Sequence, residues 1–187
     1  MAGYPIRLPS FWQLWQTAGI TLIWLAEPLH LFEESQALRF LPNLWKSYLT
    51  KLQQPSRTVW TYWHLGDDVF GRPHAGRRAL AQRFIQSLGW PKGSIAWWPV
   101  SEPQVNLLVA SPAYFWQGIR FLAPMALVFF GDKALQAAMS DPGIGSLSVL
   151  LELPRLSLPE FTLDHMDEVG FAACIDTLRS LELVFLP

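Results

Sequence analysis

Two strand-like segments enclose a single helix-length segment near the middle of this chain, and that spacing constrains the fold more than any other feature. Thr58 to Leu65 (TVWTYWHL) is dense in β-branched and aromatic residues and is followed at once by Gly66. After the loop GDDVFGRPHAG, Leu80, Phe84 and Leu88 recur at i, i+4 and i+8, with Gly89 and Pro91 as stop signals. Ser94 to Val100 (SIAWWPV) reads as a second strand. A helix of this length between two strands makes a right-handed crossover, so the strands are predicted to be parallel neighbours.

The alternation extends to both sides. Ser10 can cap a short helix, FWQLWQTAG, with Phe11, Leu14 and Trp15 on one face and Gly19 at its end. ITLIWLA reads as a buried strand closed by Glu27 and Pro28, and Leu38 to Leu52 as a helix with Leu41, Leu44, Trp45, Tyr48 and Leu52 inward. Farther on come a helix from Ala113 to Leu122, the strand ALVFFG, the helix DKALQAAM and the strand SVLLEL. A closing helix from Asp167 to Leu181 offers Val169, Ala172, Ala173 and Leu178 as apolar contacts. The predicted fold class is α/β: a three-layer helix/sheet/helix sandwich with a mainly parallel central sheet, forming one domain over residues 1–187.

Composition narrows the function classes. Hydrophobic residues make up 51% and charged residues 16%, against about 25% in an ordinary domain, which excludes a disordered chain. Ten Trp and twelve Phe exceed what a core of this size needs. Either some of them meet a partner at the surface, or the core is built from oversized side chains. The longest apolar runs, Ile20 to Ala26 and Ala126 to Phe130, are of strand length, so no membrane span is predicted. MAGYPIRLPS has neither an apolar core nor a cleavage-like site, and a cytoplasmic location is the expectation. Cys174 is the only cysteine, which excludes an internal disulfide and a four-cysteine cluster within this chain. His30, His64, His74 and His165 show no metal-ligand spacing, and no metal or other cofactor is expected.

The net charge of −1 hides an uneven distribution. Val69 to Ser101 contains no acidic residue but carries Arg72, Arg77, Arg78, Arg83 and Lys92, whereas acids dominate the last third. A local anion-facing patch is compatible with this pattern; broad nonspecific nucleic-acid binding is not supported by the total charge.

Ligands of a parallel sheet bind outside the carboxyl ends of its strands. Three segments are predicted to converge there: Gly66 to Arg78, Pro99 to Pro103, and Gly131 with Asp132. Arg77 falls on the same helical side as Leu80, Phe84 and Leu88, which aims it over the sheet edge. There it can hold a phosphate or carboxylate with the free helix amides, or pair with Asp67 or Asp68. Asp67 and Asp68 can orient a water or act as a base, or simply form the turn. His74 can stack on a planar ligand such as a base. GRPHAGRR has the spacing of a phosphate-binding P-loop, yet Arg77 replaces its lysine and Arg78 its magnesium-binding hydroxyl.

The stretch HLGDDVFGRPHAGRRALAQRFIQSLGWPKGSIAWWPV resembles the uracil-DNA glycosylase superfamily. Gly66 and Asp67 match that family's water-activating loop. Gly71, Pro73, His74, Ala75, Gly76, Arg77, Ala79 and Leu80 approximate the helix start that follows it. LAPMALVFFGDKALQAAM is similar to the strand, glycine and helix that precede the family's histidine motif, so the resemblance covers roughly residues 58 to 158. It implies a glycosylase-like fold with a degenerate active site. The loop after Gly66 is short and lacks a Pro-Gly element, and Trp98 or Pro99 stands where a uracil-reading asparagine belongs. Leu153 and Pro154 replace the His-Pro motif, so no imidazole is supplied to stabilise a departing uracil anion.

Noncatalytic relatives with this fold include the psi-subunit family of bacterial DNA polymerase III, whose clamp-loader-binding end is similar to FWQLWQTAGIT. The resemblance implies an accessory protein of DNA replication or repair acting by protein contacts, with Trp12 and Trp15 suited to a hydrophobic groove. The competing reading packs this first helix on the chain's own sheet. Gly66, His74, Gly76, Arg77 and Arg78 are the residues expected to meet a ligand or single-stranded DNA. If the protein is instead an atypical uracil-DNA glycosylase, Asp67 or Asp68 positions water and His74 stacks on the flipped base.

Overall fold

A computed structural model describes residues 20–24, 41–52, 56–140 and 166–185. Twelve elements lie in it: β1 (Ile20–Trp24), α1 (Asn43–Leu49), β2 (Thr58–Tyr62), α2 (Leu65–Phe70), α3 (Ala75–Leu88), β3 (Ile95–Trp97), β4 (Ser101–Gln104), β5 (Leu107–Ala110), α4 (Pro112–Leu122), β6 (Ala126–Phe130), α5 (Asp132–Met139) and α6 (Glu168–Phe185). The fold is α/β. The main sheet has the order β1-β6-β2-β3, in which β6, β2 and β3 are parallel and β1 is antiparallel to β6.

The central position of β2 and β6 follows from their sequences. TVWTY and ALVFF carry no charge, and all ten residues are buried. Continuous apolar runs of this kind belong to strands covered on both faces. Side chains alternate between two cores. Val59, Leu127 and Phe129 join Trp45 of α1, Phe115 and Ile119 of α4, and Ala134 and Ala138 of α5. Trp60, Val128 and Phe130 join Phe84 and Leu88 of α3 and Phe171, Cys174, Ile175 and Leu178 of α6 on the other face. Helices therefore pack on both sides of the sheet.

The predicted crossover is present: β2 and β3 are parallel neighbours, with Thr58 opposite Ile95 and Trp60 opposite Trp97. Thr58 tightens this pair, since its N–H and hydroxyl both donate to the Ser94 carbonyl at 2.8 and 3.1 Å. Gly89 ends α3 at φ 65°, a left-handed conformation that costs glycine nothing.

Several boundaries differ from expectation. β2 stops at Tyr62, and Leu65–Phe70 turns into a short helix, so Gly66, Asp67 and Asp68 are helical rather than part of a loop. Pro99 to Pro103 is not a single loop either. Ser101–Gln104 pairs with Leu107–Ala110 in a separate antiparallel hairpin around Val105 and Asn106, with Pro103 opposite Leu108. On α1, Leu44 faces solvent while Leu49 is fully buried, because Leu49 lies at i+4 from the buried Trp45 and Leu44 lies about 100° round the helix from it. On α6, Val169, Ala172 and Ala173 are exposed, and Phe171, Cys174 and Ile175 take the inner positions beside Leu178. The helix over 10–19 and the strand SVLLEL lie outside the described residues.

Many of the rings build an aromatic core: Trp45, Trp60, Trp98 and Trp116 are buried, and no Trp, Tyr or Phe between residues 41 and 140 is exposed. The indole N–H groups of these four are satisfied internally; Trp98 Nε1, for instance, donates to Phe115 O at 3.0 Å and Trp116 Nε1 to Ala138 O at 2.7 Å. No helix among the described residues is long and apolar enough to cross a membrane.

Candidate functional site

The end of β2 and the two helices after it build a buried ionic corner. Tyr62 is the last residue of the strand, Asp68 is the fourth residue of α2, and Arg77 sits in the first turn of α3. The Asp68 carboxylate accepts four hydrogen bonds. Its Oδ2 takes Tyr62 O–H and Arg77 Nε–H, each at 2.6 Å; its Oδ1 takes the His74 backbone N–H at 2.7 Å and Arg77 Nη2–H at 2.8 Å. An ionised carboxylate offers about four acceptor sites, so this one is saturated. The Arg77 contact is bidentate, the stronger geometry for such a pair.

Burial decides how much this matters. The Asp68 side chain is 5% exposed and that of Arg77 is 17% exposed. Burial alone would raise the carboxyl's proton affinity, but the hydrogen bonds from Arg77, Tyr62 and His74 outweigh it and hold Asp68 below its ordinary value. Tyr62 moves the other way: desolvation first, then the bond to Asp68, push its phenol far above the usual tyrosine range. Arg77 is held as a cation more firmly than usual, chiefly by its bond to Asp68.

The other expected site residues separate from this corner. Asp67 makes no hydrogen bond to Arg77 among those described, is about one-third exposed, and meets His64 Nδ1 at 3.5 Å. His74 is exposed and is the N-cap of α3, its Nδ1 accepting the Arg77 backbone N–H at 3.4 Å. Gly76 and Arg78 are exposed on the first turn of the same helix. Trp12 and Trp15 lie outside the described residues, as do Leu153 and Pro154.

Gly66 has a packing role. A β-carbon there would sit 2.3 Å from the Ser101 carbonyl oxygen and 2.8 Å from its Oγ, so only glycine lets α2 lie against β4. Ser101 Oγ in turn donates to Trp63 O at 2.5 Å, tying the hairpin to the end of β2. Gly66→Ala is expected to lower stability by about 1–3 kcal/mol despite alanine's better helix propensity, because the obstructing atom is backbone. Urea denaturation measures this; a midpoint equal to wild type would show that α2 can move off the hairpin without loss.

The space between α2, α1 and the end of β3 is filled by side chains. Trp98 is fully buried, and the Phe70 ring lies tilted 4.9 Å from Trp45 and edge-on 5.8 Å from Tyr48. Tyr48 donates its hydroxyl to Trp97 O at 2.9 Å, and burial raises its phenol to about 12. Beyond the sheet edge, Lys133 Nζ lies 4.3 Å from the Trp63 ring centroid. The predicted convergence of the Gly66 and Ser101 segments is thus a packed junction.

The acid-free cationic run is also less free than its sequence suggests. Arg77 is bound to Asp68, and Arg83 pairs with Glu168 while lying 3.8 Å over the Phe171 ring. Arg72, Arg78 and Lys92 remain exposed. Among the described residues, no group of three His, Cys, Asp or Glu side chains is arranged to hold a metal.

Sequence reasoning raised Asp68 as a partner for Arg77 but missed Tyr62, the third member. The available signal was a tyrosine inside a strand read as buried, since a buried phenol needs a hydrogen-bond partner. Compared with protein-family models, curated proteins and solved structures, the chain matches none of them significantly.

Proposed function

We propose that this protein is a noncatalytic accessory factor of DNA replication or repair that works through protein contacts on a degenerate uracil-DNA glycosylase-like frame. The observation that carries the noncatalytic part is the saturated Asp68 carboxylate. With all its acceptor sites occupied and its proton affinity lowered, it has nothing left with which to orient or deprotonate a water. Arg77, the residue best placed to grip a phosphate, spends its guanidinium on the same carboxylate. Phe70 and Trp98 fill the adjoining space.

The replication or repair assignment rests on the sequence resemblance over residues 58 to 158 and on the leader FWQLWQTAGIT. Because the described aromatics are inward, the partner contact is assigned to Trp12 and Trp15 of that leader. Affinity capture from the native cell is expected to recover clamp-loader, polymerase or repair proteins with the wild-type chain and to lose them with Trp12→Ala/Trp15→Ala. Recovery of none of these above background would overturn the proposal.

One observation favours the alternative of an atypical glycosylase: Asp67 is partly exposed and lies 3.5 Å from His64, and His74 is exposed nearby in the chain. Incubation of stoichiometric protein with single-stranded DNA containing uracil, hypoxanthine or xanthine is expected to give no abasic product. Base release that disappears in Asp67→Asn would establish the enzyme instead.

A further inference from the structure

We propose that the outer edge of β5 pairs with the same edge of a second copy of this chain, joining two hairpins into one continuous antiparallel sheet. Hydrogen-bonded and non-hydrogen-bonded pairs alternate along an antiparallel ladder, so the register of the hairpin decides where each backbone group points. Gln104 pairs with Leu107 across the turn and Glu102 with Val109, and the ladder continues to Val100, whose carbonyl accepts the Ser111 N–H at 2.9 Å. The N–H and C=O groups of Leu108 and Ala110 therefore point out of the hairpin, as does the nitrogen of Pro103 on β4. The two edges differ. Pro103 has no N–H to offer, and α2 packs along β4. Among the described residues, no element other than β4 lies closely along β5, and the Leu108 and Ala110 N–H groups meet no acceptor. Leu107–Ala110 (LLVA) also lacks the devices that usually close such an edge, having no charge, no proline and no bulge.

A second copy fits this edge because the edge is complementary to itself. With a two-fold axis at Val109, Leu108 of each copy lies opposite Ala110 of the other. Both residues face outward, so each pair exchanges two bonds and every outward donor and acceptor of Leu108 and Ala110 is used. Val109 then meets its own counterpart at the non-hydrogen-bonded position, where side chains approach most closely and a β-branched pair packs well. Leu107 shares a strand face with Val109 and extends the apolar row at both ends. In the single chain Leu107 is 60% exposed, and Val105 beside it in the turn is 96% exposed. Self-pairing brings no like charges together, since LLVA carries none. The contact is small, so the dimer is weak, with a Kd on the order of 100 µM.

Sedimentation of the full chain from about 5 µM to about 500 µM tests this, and the mass is expected to rise from monomer toward dimer across that range. Amide hydrogen exchange at Leu108 and Ala110 is expected to slow about threefold over the same range, while Val109, bonded inside the hairpin, stays unchanged. Leu108→Pro repeats the arrangement at Pro103, removing an N–H that takes no part in the hairpin's own bonds, and is expected to remain monomeric. Leu107→Lys alters a side chain already exposed in the monomer, so it guards against a folding defect; it is expected to weaken association about tenfold. A chain of monomer mass at every concentration would overturn the proposal and leave the edge to an extended segment of another protein. So would a dimer that persists in both variants, or one whose formation leaves exchange at Leu108 and Ala110 unchanged.

Discussion

Asp68→Ala is expected to unfold about 6–12 °C below wild type, the equivalent of about 3 kcal/mol for a chain of this size. The substitution removes the acceptor of four hydrogen bonds from three residues at once. Arg77 loses both of its bonds at 2.6 and 2.8 Å, Tyr62 loses its 2.6 Å bond to the carboxylate, and the His74 N–H is released. Removing one member of a buried ion pair typically costs about 3–5 kcal/mol, and the partial exposure of Arg77 places this case at the lower end. Arg77→Met should destabilise for the converse reason, leaving a carboxylate that is 5% exposed without its cation. The double variant should lose less than the sum of the two, since each single change already forfeits the shared bonds.

The same corner sets an acid dependence whose sign is determined. Asp68 holds its proton less tightly when folded than its ordinary value of 3.8, so its stabilising contribution is complete above that value. It is lost as pH falls below that value toward the folded one. Asp68→Asn keeps the shape but cannot ionise. Denaturant titration should show a full stability gap between wild type and Asp68→Asn at pH 6, narrowing only below about pH 4. An Asn variant as stable as wild type at pH 6 would mean that the carboxylate charge contributes nothing.

Gly118→Ala is expected to cost about 2–3 kcal/mol, a fall of roughly 5–10 °C, although alanine is the better helix former by about 1 kcal/mol. Gly118 faces Trp98, and a β-carbon there would lie 2.0 Å from Cε2 and 2.2 Å from Nε1 of that ring. Trp98 cannot withdraw easily. It is fully buried, its Nε1 is tied to Phe115 O at 3.0 Å, and its ring lies 5.2 Å from Trp45. The new methyl group must therefore push α4 away from the sheet. A shifted tryptophan emission maximum together with a lowered unfolding midpoint would report that displacement. Unchanged values for both would show a looser contact than the close approach requires.

The elements most legible in the sequence are those whose own residues dictate their environment. TVWTY and ALVFF have no polar face to turn outward, so they are central strands wherever the chain places them. The helix from Ala75 to Leu88 announces itself by Leu80, Phe84 and Leu88 and by Gly89. The hairpin of β4 and β5 was not legible, because Pro103 argues against a strand and Val105-Asn106 lacks the usual glycine turn signal. Nor was the inner face of α6, where Val169 and Phe171 are equally apolar and only the helix's actual rotation against α3 separates them.

The strand, acidic turn and arginine helix around residues 58–89 show the same division. Local sequence was enough to determine a buried strand, a helix and their parallel return, since periodicity and stop residues act over a few neighbours. It also brought Arg77 and two aspartates within reach of one another. Which aspartate pairs with Arg77, and whether that arginine faces a ligand, depended on atoms distant in sequence. Ser101 admits only a glycine at position 66, and the end of β2 presents the Tyr62 hydroxyl to Asp68. Only the tertiary structure decides such matters, because Asp67 and Asp68 are the same residue type and differ solely in what the fold packs around each.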